Sequence, residues 1–184
     1  MSATARTEGD PAGSLRDLLG AEAVEDGPAA LAAHSLGGAA PRTLVHPANP
    51  EDVARVLKAA SAAGWGVVPW GGGHAVATGR PPQPYDIALS TRNLDQIVDH
   101  DVDNLTISVQ AGMTMLGVQR HLEPHHQQLP LALAGSLQTV GGLIAANPVV
   151  PKRLLYGDLR DQLLGLQVAT GDGALLRHLS ASGS

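Results

Sequence analysis

The residues with the clearest chemical potential are three consecutive glycines, Gly71-Gly72-Gly73, with His74 directly after them. They follow a short apolar run, Val67-Val68-Pro69-Trp70, and the stretch continues to Thr78-Gly79. Glycines in series destabilise any regular element, because each loses more backbone freedom on folding than another residue would. They make physical sense where the backbone must approach something closely, most often a phosphate held by amide N–H groups. A second glycine site, Thr139-Val140-Gly141-Gly142, leads into Ala145, Ala146 and Asn147. Small residues there let a helix N-terminus approach a neighbour or a flat ligand, and close helix–strand packing alone asks for the same residues. Two glycine-lined turns together can enclose a flat cofactor that carries phosphates.

Other groupings are weaker. Asp99-His100-Asp101-Val102-Asp103-Asn104 starts like a calcium loop. The glycine required at the sixth position is replaced by Asn104, and the bidentate acid at the twelfth by Gln110, so an exposed turn is expected. His121, His125 and His126 suggest metal ligands, but Pro124 interrupts the helix that would align His121 with His125. No carboxylate falls where a zinc protease needs one, so a solvated helix end is expected and no metal is assigned. Lys152, Arg153, Arg160 and Asp161 form a charged patch after the second glycine site, suited to a phosphate, a carboxylate or surface ion pairs.

The elements that must position these residues follow from periodicity. Residues 1–13 are small and polar and are expected to be a disordered tail. Residues 14–40 read as a helical segment: a short helix capped by Ser14 and ended by Gly20, then a second ending near Gly37-Gly38. Thr43-Leu44-Val45-His46 is a strand. Asn49-Pro50-Glu51-Asp52 opens a helix, with an Asn cap, proline in the first turn and acids against the helix dipole. Val53, Val56, Leu57 and Ala60 share one face, and Gly64 sits just past the end. Val67 to Pro69 is the next strand, and Ile87 to Ser90 a third. This is a β-α-β unit with the glycine loop after its second strand, unlike a dinucleotide fingerprint whose glycines open the crossover helix. Val76 occupies the expected third glycine position, and no Gly-Lys-Ser/Thr follows to make a P-loop.

Beyond residue 95, Ile97 to His100 and Leu105 to Gly112 read as strands joined by an acidic turn. Residues 113–123 read as a helix, Leu129 to Leu133 as an apolar run, and Gly171-Asp172-Gly173 as a turn between Leu163–Thr170 and Ala174–Arg177. Two lobes result: an α/β one over 41–95 and a mainly antiparallel one, with helices, over 96–184.

Composition sets the outer bounds. At 184 residues the chain supports a real core. That core must be aliphatic, because there is no Phe and only two Trp and two Tyr. A net charge of −5 argues against general affinity for nucleic acid or anionic membrane. The absence of cysteine excludes disulfides and thiolate metal sites. No apolar run is long enough for a transmembrane segment and no signal-peptide core is visible, so a soluble, cytoplasmic protein is expected.

Five pieces of text in the right order resemble one family. These are Pro47-Ala48-Asn49-Pro50-Glu51-Asp52-Val53, Val68-Pro69-Trp70-Gly71-Gly72-Gly73, Leu105-Thr106-Ile107-Ser108-Val109-Gln110-Ala111-Gly112, Thr139-Val140-Gly141-Gly142 and Tyr156-Gly157-Asp158-Leu159-Arg160-Asp161. From about Pro41 to Arg177 the chain resembles the N-terminal part of the FAD-binding, PCMH-type domain of the vanillyl-alcohol oxidase and p-cresol methylhydroxylase superfamily. Within it, the text is most similar to the FAD-binding subunit of glycolate oxidase. The resemblance implies an α+β fold of two small lobes that sandwich FAD. It implies that Gly71 to His74 hold the pyrophosphate, with Thr78 and Gly79 in the same loop. It also implies that Thr139, Val140, Gly141, Gly142 and Asn147 approach the flavin and its ribityl chain. The implied chemistry is oxidation of a hydroxy acid or alcohol by hydride transfer to flavin, with a partner subunit of a multi-subunit oxidase.

Three departures qualify that picture. The family usually reads Asn-Ala-Ser-Gly-Pro where this chain has Asn147-Pro148-Val149-Val150-Pro151. The change removes a hydroxyl donor and a flexible backbone position, weakening FAD binding by a few kcal/mol at most. In the family a further segment completes the FAD lobe and a substrate domain follows; neither precedes Ser184, so the second lobe is expected to be incomplete, with an unpaired strand edge. No catalytic residue is assigned, and a non-catalytic flavin-binding or subunit-pairing module, or a degenerate fragment, is the alternative reading. Finally, glycolate-oxidase-like relatives carry threonine where this chain has His74 and bind FAD non-covalently. Other branches attach the flavin to a histidine in this loop, so a covalent link through His74 stays open.

Overall fold

A computed structural model describes residues 9–76, 78–80, 82–130, 136–147, 157 and 159–179. Of the expectations above, the tail over 1–8, most of the Leu129 to Leu133 run, the segment 148–156 with Lys152 and Arg153, Asp158 and the Arg160 side chain lie outside these residues. The chain divides into two compact units, one of Met1–Trp70, Val76–Asn93 and Gln167–Leu176, the other of Gly71–Ala75, Leu94–Leu166 and Arg177–Ser184.

The first unit is built on a four-stranded sheet in the order β1-β2-β4-β3, from β1 (Val24–Glu25), β2 (Thr43–Val45), β3 (Val67–Trp70) and β4 (Ile87–Ser90). β1 is antiparallel to β2, whereas β2 and β3 both run parallel to β4. The β2-α3-β3 crossover therefore skips one position, and β4 fills the gap. That central place explains why all four residues of β4 are buried: a parallel strand covered on both faces reads as a continuous apolar run. Alternate residues feed two cores. Val45, Ile87 and Leu89 pack with Leu15, Val56 and Ala60, contributed by α1 (Pro11–Leu19) and α3 (Pro50–Ala63). Leu44 and Ala88 pack on the other face with Leu36, Trp70 and Tyr85, and Leu31 of α2 (Pro28–Ala33) lies against them.

Helix α3 follows its sequence signals. The Asn49 side chain accepts from the Asp52 N–H at 2.8 Å, and Gly64 closes the C-terminus in the left-handed conformation at φ 71°. Helix α1 corrects the expected tail and the expected Ser14 cap. It begins at Pro11, because Asp10 receives the Ala12 and Gly13 N–H groups and proline suits a first turn. Helix α2 is also shorter than expected, ending at Ala33.

In the second unit, β5 (Ile97–Asp101) and β6 (Thr106–Val109) pair antiparallel with an irregularity at Ile97/Asp99. Their acidic turn is closed by Asp101, whose carboxylate receives the Asn104 side-chain amide at 2.8 Å and its backbone N–H at 3.0 Å. Those hydrogen bonds hold the Asp101 carboxyl below its ordinary range. Helix α4 (Met115–Leu122) runs into a 3-10 turn, Glu123–His125, where Pro124 removes a helical N–H. Helix α5 (Val140–Ala146) follows, and Met115 and Leu143 form a small core with Leu129, Val140 and Leu159 against it. The last strands, β7 (Gly165–Ala169) and β8 (Leu175–Leu179), make a two-stranded sheet, whose residues Gln167–Leu176 belong to the first unit. At their turn the Thr170 N–H donates to the Ala174 carbonyl at 2.8 Å. No helix among the described residues is long and apolar enough to cross a membrane.

Candidate functional site

The glycine loop leaves the end of β3, and Trp70 fixes the point of departure. The Trp70 carbonyl accepts from the Thr91 N–H at 2.8 Å and the Thr91 hydroxyl at 3.2 Å. Its indole N–H donates to the Tyr85 hydroxyl at 2.8 Å, and that hydroxyl donates to the His34 carbonyl at 2.8 Å. The His34 ring stands edge-on to the indole with centroids 4.7 Å apart. Burial pushes the Tyr85 phenol up from its ordinary pKa, the Trp70 hydrogen bond opposing it only in part, so the hydroxyl stays a neutral donor. Sequence reading does not find this network, because positions 34, 70 and 85 share no spacing or motif.

Each of the three glycines has its own structural reason. A Cβ on Gly71 would fall onto the Thr139 hydroxyl. One on Gly72 would stand 2.9 Å from the Leu137 carbonyl oxygen and 2.8 Å from His74 Nδ1. Gly73 takes φ +75°, which side chains resist. The loop is thus pressed against the segment that precedes α5, and both glycine sites belong to one compact unit. Gly71, Gly72 and His74 are exposed. Among the described residues, the backbone N–H groups of Gly71, Gly72, Gly73 and His74 have no hydrogen-bond partner. A run of four such amides at the end of a strand is a concentration of partial positive charge suited to an anion.

The second glycine site differs. Thr139 caps α5 by accepting the Gly142 N–H at 3.2 Å. The Val140 N–H donates to the Met113 carbonyl and the Gly141 N–H to the Ala111 carbonyl, both at 2.8 Å. Thr139 bridges antiparallel to Thr114, which caps α4 through the Gly117 N–H at 3.0 Å. The Met115 and Leu116 N–H groups donate back to the carbonyls of Gln138 and Ser136. The two helix starts are therefore interlocked, and the first amides of α5 are used within the chain. Gly141 is explained by packing, since a Cβ would stand 2.8 Å from Ala111 Cβ and 3.0 Å from its carbonyl. What this site offers a ligand is a flat surface of small residues, with Gly142 exposed. Asn147 ends α5 in the left-handed conformation at φ 39° and is exposed. Thr78 and Gly79 are exposed too, and fall in the other unit.

The fit for a phosphate-bearing group therefore rests on the glycine loop, where unpaired donors, exposure and absent side chains coincide. Comparisons with known proteins bear on the family. Residues 41–178 match the FAD binding domain family. Glycolate oxidase subunit GlcD of Bacillus subtilis is 30% identical over 138 residues, covering 74% of this chain and 29% of that protein. The mitochondrial D-2-hydroxyglutarate dehydrogenase of Rattus norvegicus is 31% identical over 143 residues, covering 76% of this chain and 26% of that protein. The chain thus spans under a third of the length of these relatives. The structure of p-cresol methylhydroxylase superposes with a TM-score of 0.75 at 19% identity, covering 91% of this chain and 34% of that one. Such a likeness shows the fold, an α+β arrangement of PCMH type. With the family match extending over well more than half of its residues, the chain belongs to the FAD binding domain family, whose cofactor is FAD.

Proposed function

We propose that this chain holds FAD by its pyrophosphate on the backbone amides of Gly71, Gly72, Gly73 and His74. The supporting observation is that run of four amides without internal partners, in a loop where Gly71, Gly72 and His74 are exposed, directly after a strand whose last residue is pinned. In this reading Thr139, Val140, Gly141, Gly142 and Asn147 supply the flat surface for the flavin and its ribityl chain. Thr78 and Gly79 are assigned as ligands from the family pattern, as the continuation of the loop.

Bound FAD would supply hydride acceptance from the carbinol carbon of a hydroxy acid or alcohol. The chain's own residues bind and orient: the loop amides neutralise the pyrophosphate, and the Trp70–Tyr85–His34 network keeps the loop's origin from shifting. Because the chain spans under a third of its relatives, the oxidation is proposed for the assembly it belongs to, either a longer chain or a pairing with another subunit. The name of the Bacillus relative, an oxidase subunit, supports the second form. A cytoplasmic setting belongs to the same proposal.

His74 carries the finer question. Its ring lies close enough to Gly72 to meet a Cβ there, so it stands beside the amide cradle. The proposal is a flavin held by the cradle, with His74 as the point of covalent attachment where one forms. Protein purified after expression with excess riboflavin should be yellow. Acid precipitation then divides the outcomes: flavin that stays in the pellet of the wild type and leaves the His74→Thr variant supports attachment. Flavin that leaves the wild type completely contradicts attachment and retains non-covalent binding, and colourless protein contradicts both.

A further inference from the structure

The second unit gathers three histidines that sequence order keeps apart. His100 comes from β5, His121 from the last turn of α4 and His125 from the 3-10 turn after it. One ring nitrogen from each lies within 4.8 Å of the others. The sequence reading of His121 and His125 as a solvated helix end lacked His100, which the β5–β6 hairpin brings in from more than twenty positions away.

The hydrogen bonds decide which nitrogens are available. The Gln127 side-chain N–H donates to the Val102 carbonyl at 2.8 Å, which fixes the amide and leaves its oxygen facing His100. His100 Nε2 lies 2.9 Å from that oxygen and must therefore carry the proton. The lone pair of His100 then sits on Nδ1, which points at His121 Nε2 at 3.0 Å. A ligating histidine whose other N–H is held by an oxygen is the arrangement that fixes tautomer and ring orientation at metal sites.

The distances suit one small ion. A tetrahedral ion bound at about 2.0–2.1 Å by two nitrogens sets those nitrogens roughly 3.3 Å apart, so the His100–His121 pair needs to open by only a few tenths of an ångström. His125 is exposed, and its ring centroid lies 4.9 Å from that of His100 and 6.0 Å from that of His121, so a side-chain rotation brings it in. His100 and Gln127 also line an open pocket, so the His100 end of the cluster borders accessible space. Three imidazole ligands with no thiolate and no carboxylate in the set favour a borderline divalent ion of the zinc kind over magnesium or calcium.

We propose that His100, His121 and His125 form a zinc site that clasps the β5–β6 hairpin to the end of α4, with Gln127 as the positioning partner of His100 and a fourth coordination place left for water. The ion ties together a unit whose apolar core is small, and binding to the folded state alone raises its stability with the logarithm of free ion concentration once that exceeds the Kd. Nothing in the proposal depends on flavin binding.

The test is calorimetric titration of Zn(II) into the metal-stripped full chain, with Co(II) absorption as a second readout of coordination geometry. The expected result is one ion per chain, tetrahedral cobalt bands and a higher Tm with zinc present. His121→Ala and His125→Ala should each weaken binding by at least about 100-fold, and Gln127→Ala by about 10–100-fold. His126→Asn, beside the cluster but outside it, should bind as the wild type does. Circular dichroism shows whether each variant is folded, and Gln127→Ala keeps the test open should a histidine variant unfold. A folded wild-type chain with no saturable zinc binding would overturn the proposal. So would binding that survives both histidine substitutions in folded protein.

Discussion

Gly71, Gly72 and Gly73 show how much a single methyl group decides in this protein. A Cβ on the first collides with Thr139 and one on the second crowds Leu137 and His74, while the third needs a backbone conformation that side chains resist. Together these keep the loop close against its neighbour, with Gly71, Gly72 and His74 exposed. One residue earlier, the buried Trp70–Tyr85 pair does the opposite kind of work, with the indole N–H and the phenol O–H both donating within the chain. Tyr85→Phe leaves the Trp70 indole N–H and the His34 carbonyl unpaired, and should destabilise the first unit by about 1–3 kcal/mol in urea unfolding. The phenol's raised pKa gives a further signature. Its contribution is complete below the unfolded value near 10 and is lost as pH rises past it, because the unfolded chain ionises first. The stability difference between wild type and Tyr85→Phe should therefore narrow in alkaline solution. The glycine run was legible because it is contiguous; the Trp70 network was not, because its three members meet only after the chain has folded.

Among the elements, those with self-contained signals were read best. Helix α3 carries its own start, face and stop between Asn49 and Gly64, and all three appear in the structure. Asn49→Ala removes the acceptor for the Asp52 N–H and should cost about 1 kcal/mol, seen as a lower urea midpoint with unchanged slope. Helix α1 was misplaced because Ser14 and Asp10 are both good caps, and the Pro11 that follows Asp10 decides between them. Strand order was beyond reach: nothing local in Ile87 to Ser90 says that β4 lies between β2 and β3. The same long-range limit hid the histidine cluster, since spacing along α4 reports on His121 and His125 but not on a residue from β5. Thr139–Gly142 was half legible. Its helix start was foreseen, while the use of its first amides by Met113 and Ala111 depends on packing that the sequence does not encode locally.

At the scale of the molecule, stability is unevenly spread. The four-stranded sheet of the first unit is covered on both faces, whereas β5–β6 of the second unit and β7–β8, whose residues Gln167–Leu176 belong to the first, are two-stranded sheets, which are marginal without support. Val98 and Leu105 of the second unit stay exposed. Hydrogen exchange should therefore be slowest in β2 and β4 and fastest in β7 and β8, with β5–β6 slowing when zinc is added. A loop of unpaired amides that starts from a pinned Trp70 and packs on Thr139 costs little to reorganise when a ligand arrives, which is what pre-organisation means for this fold. The most direct test is a titration of FAD into the purified, flavin-free chain, followed by flavin fluorescence and thermal melting, with ADP as competitor. Saturable binding of one FAD per chain, a higher Tm and displacement by ADP are the predicted result. A chain that is folded by circular dichroism yet shows neither a fluorescence change nor a shift in Tm with FAD would contradict the account.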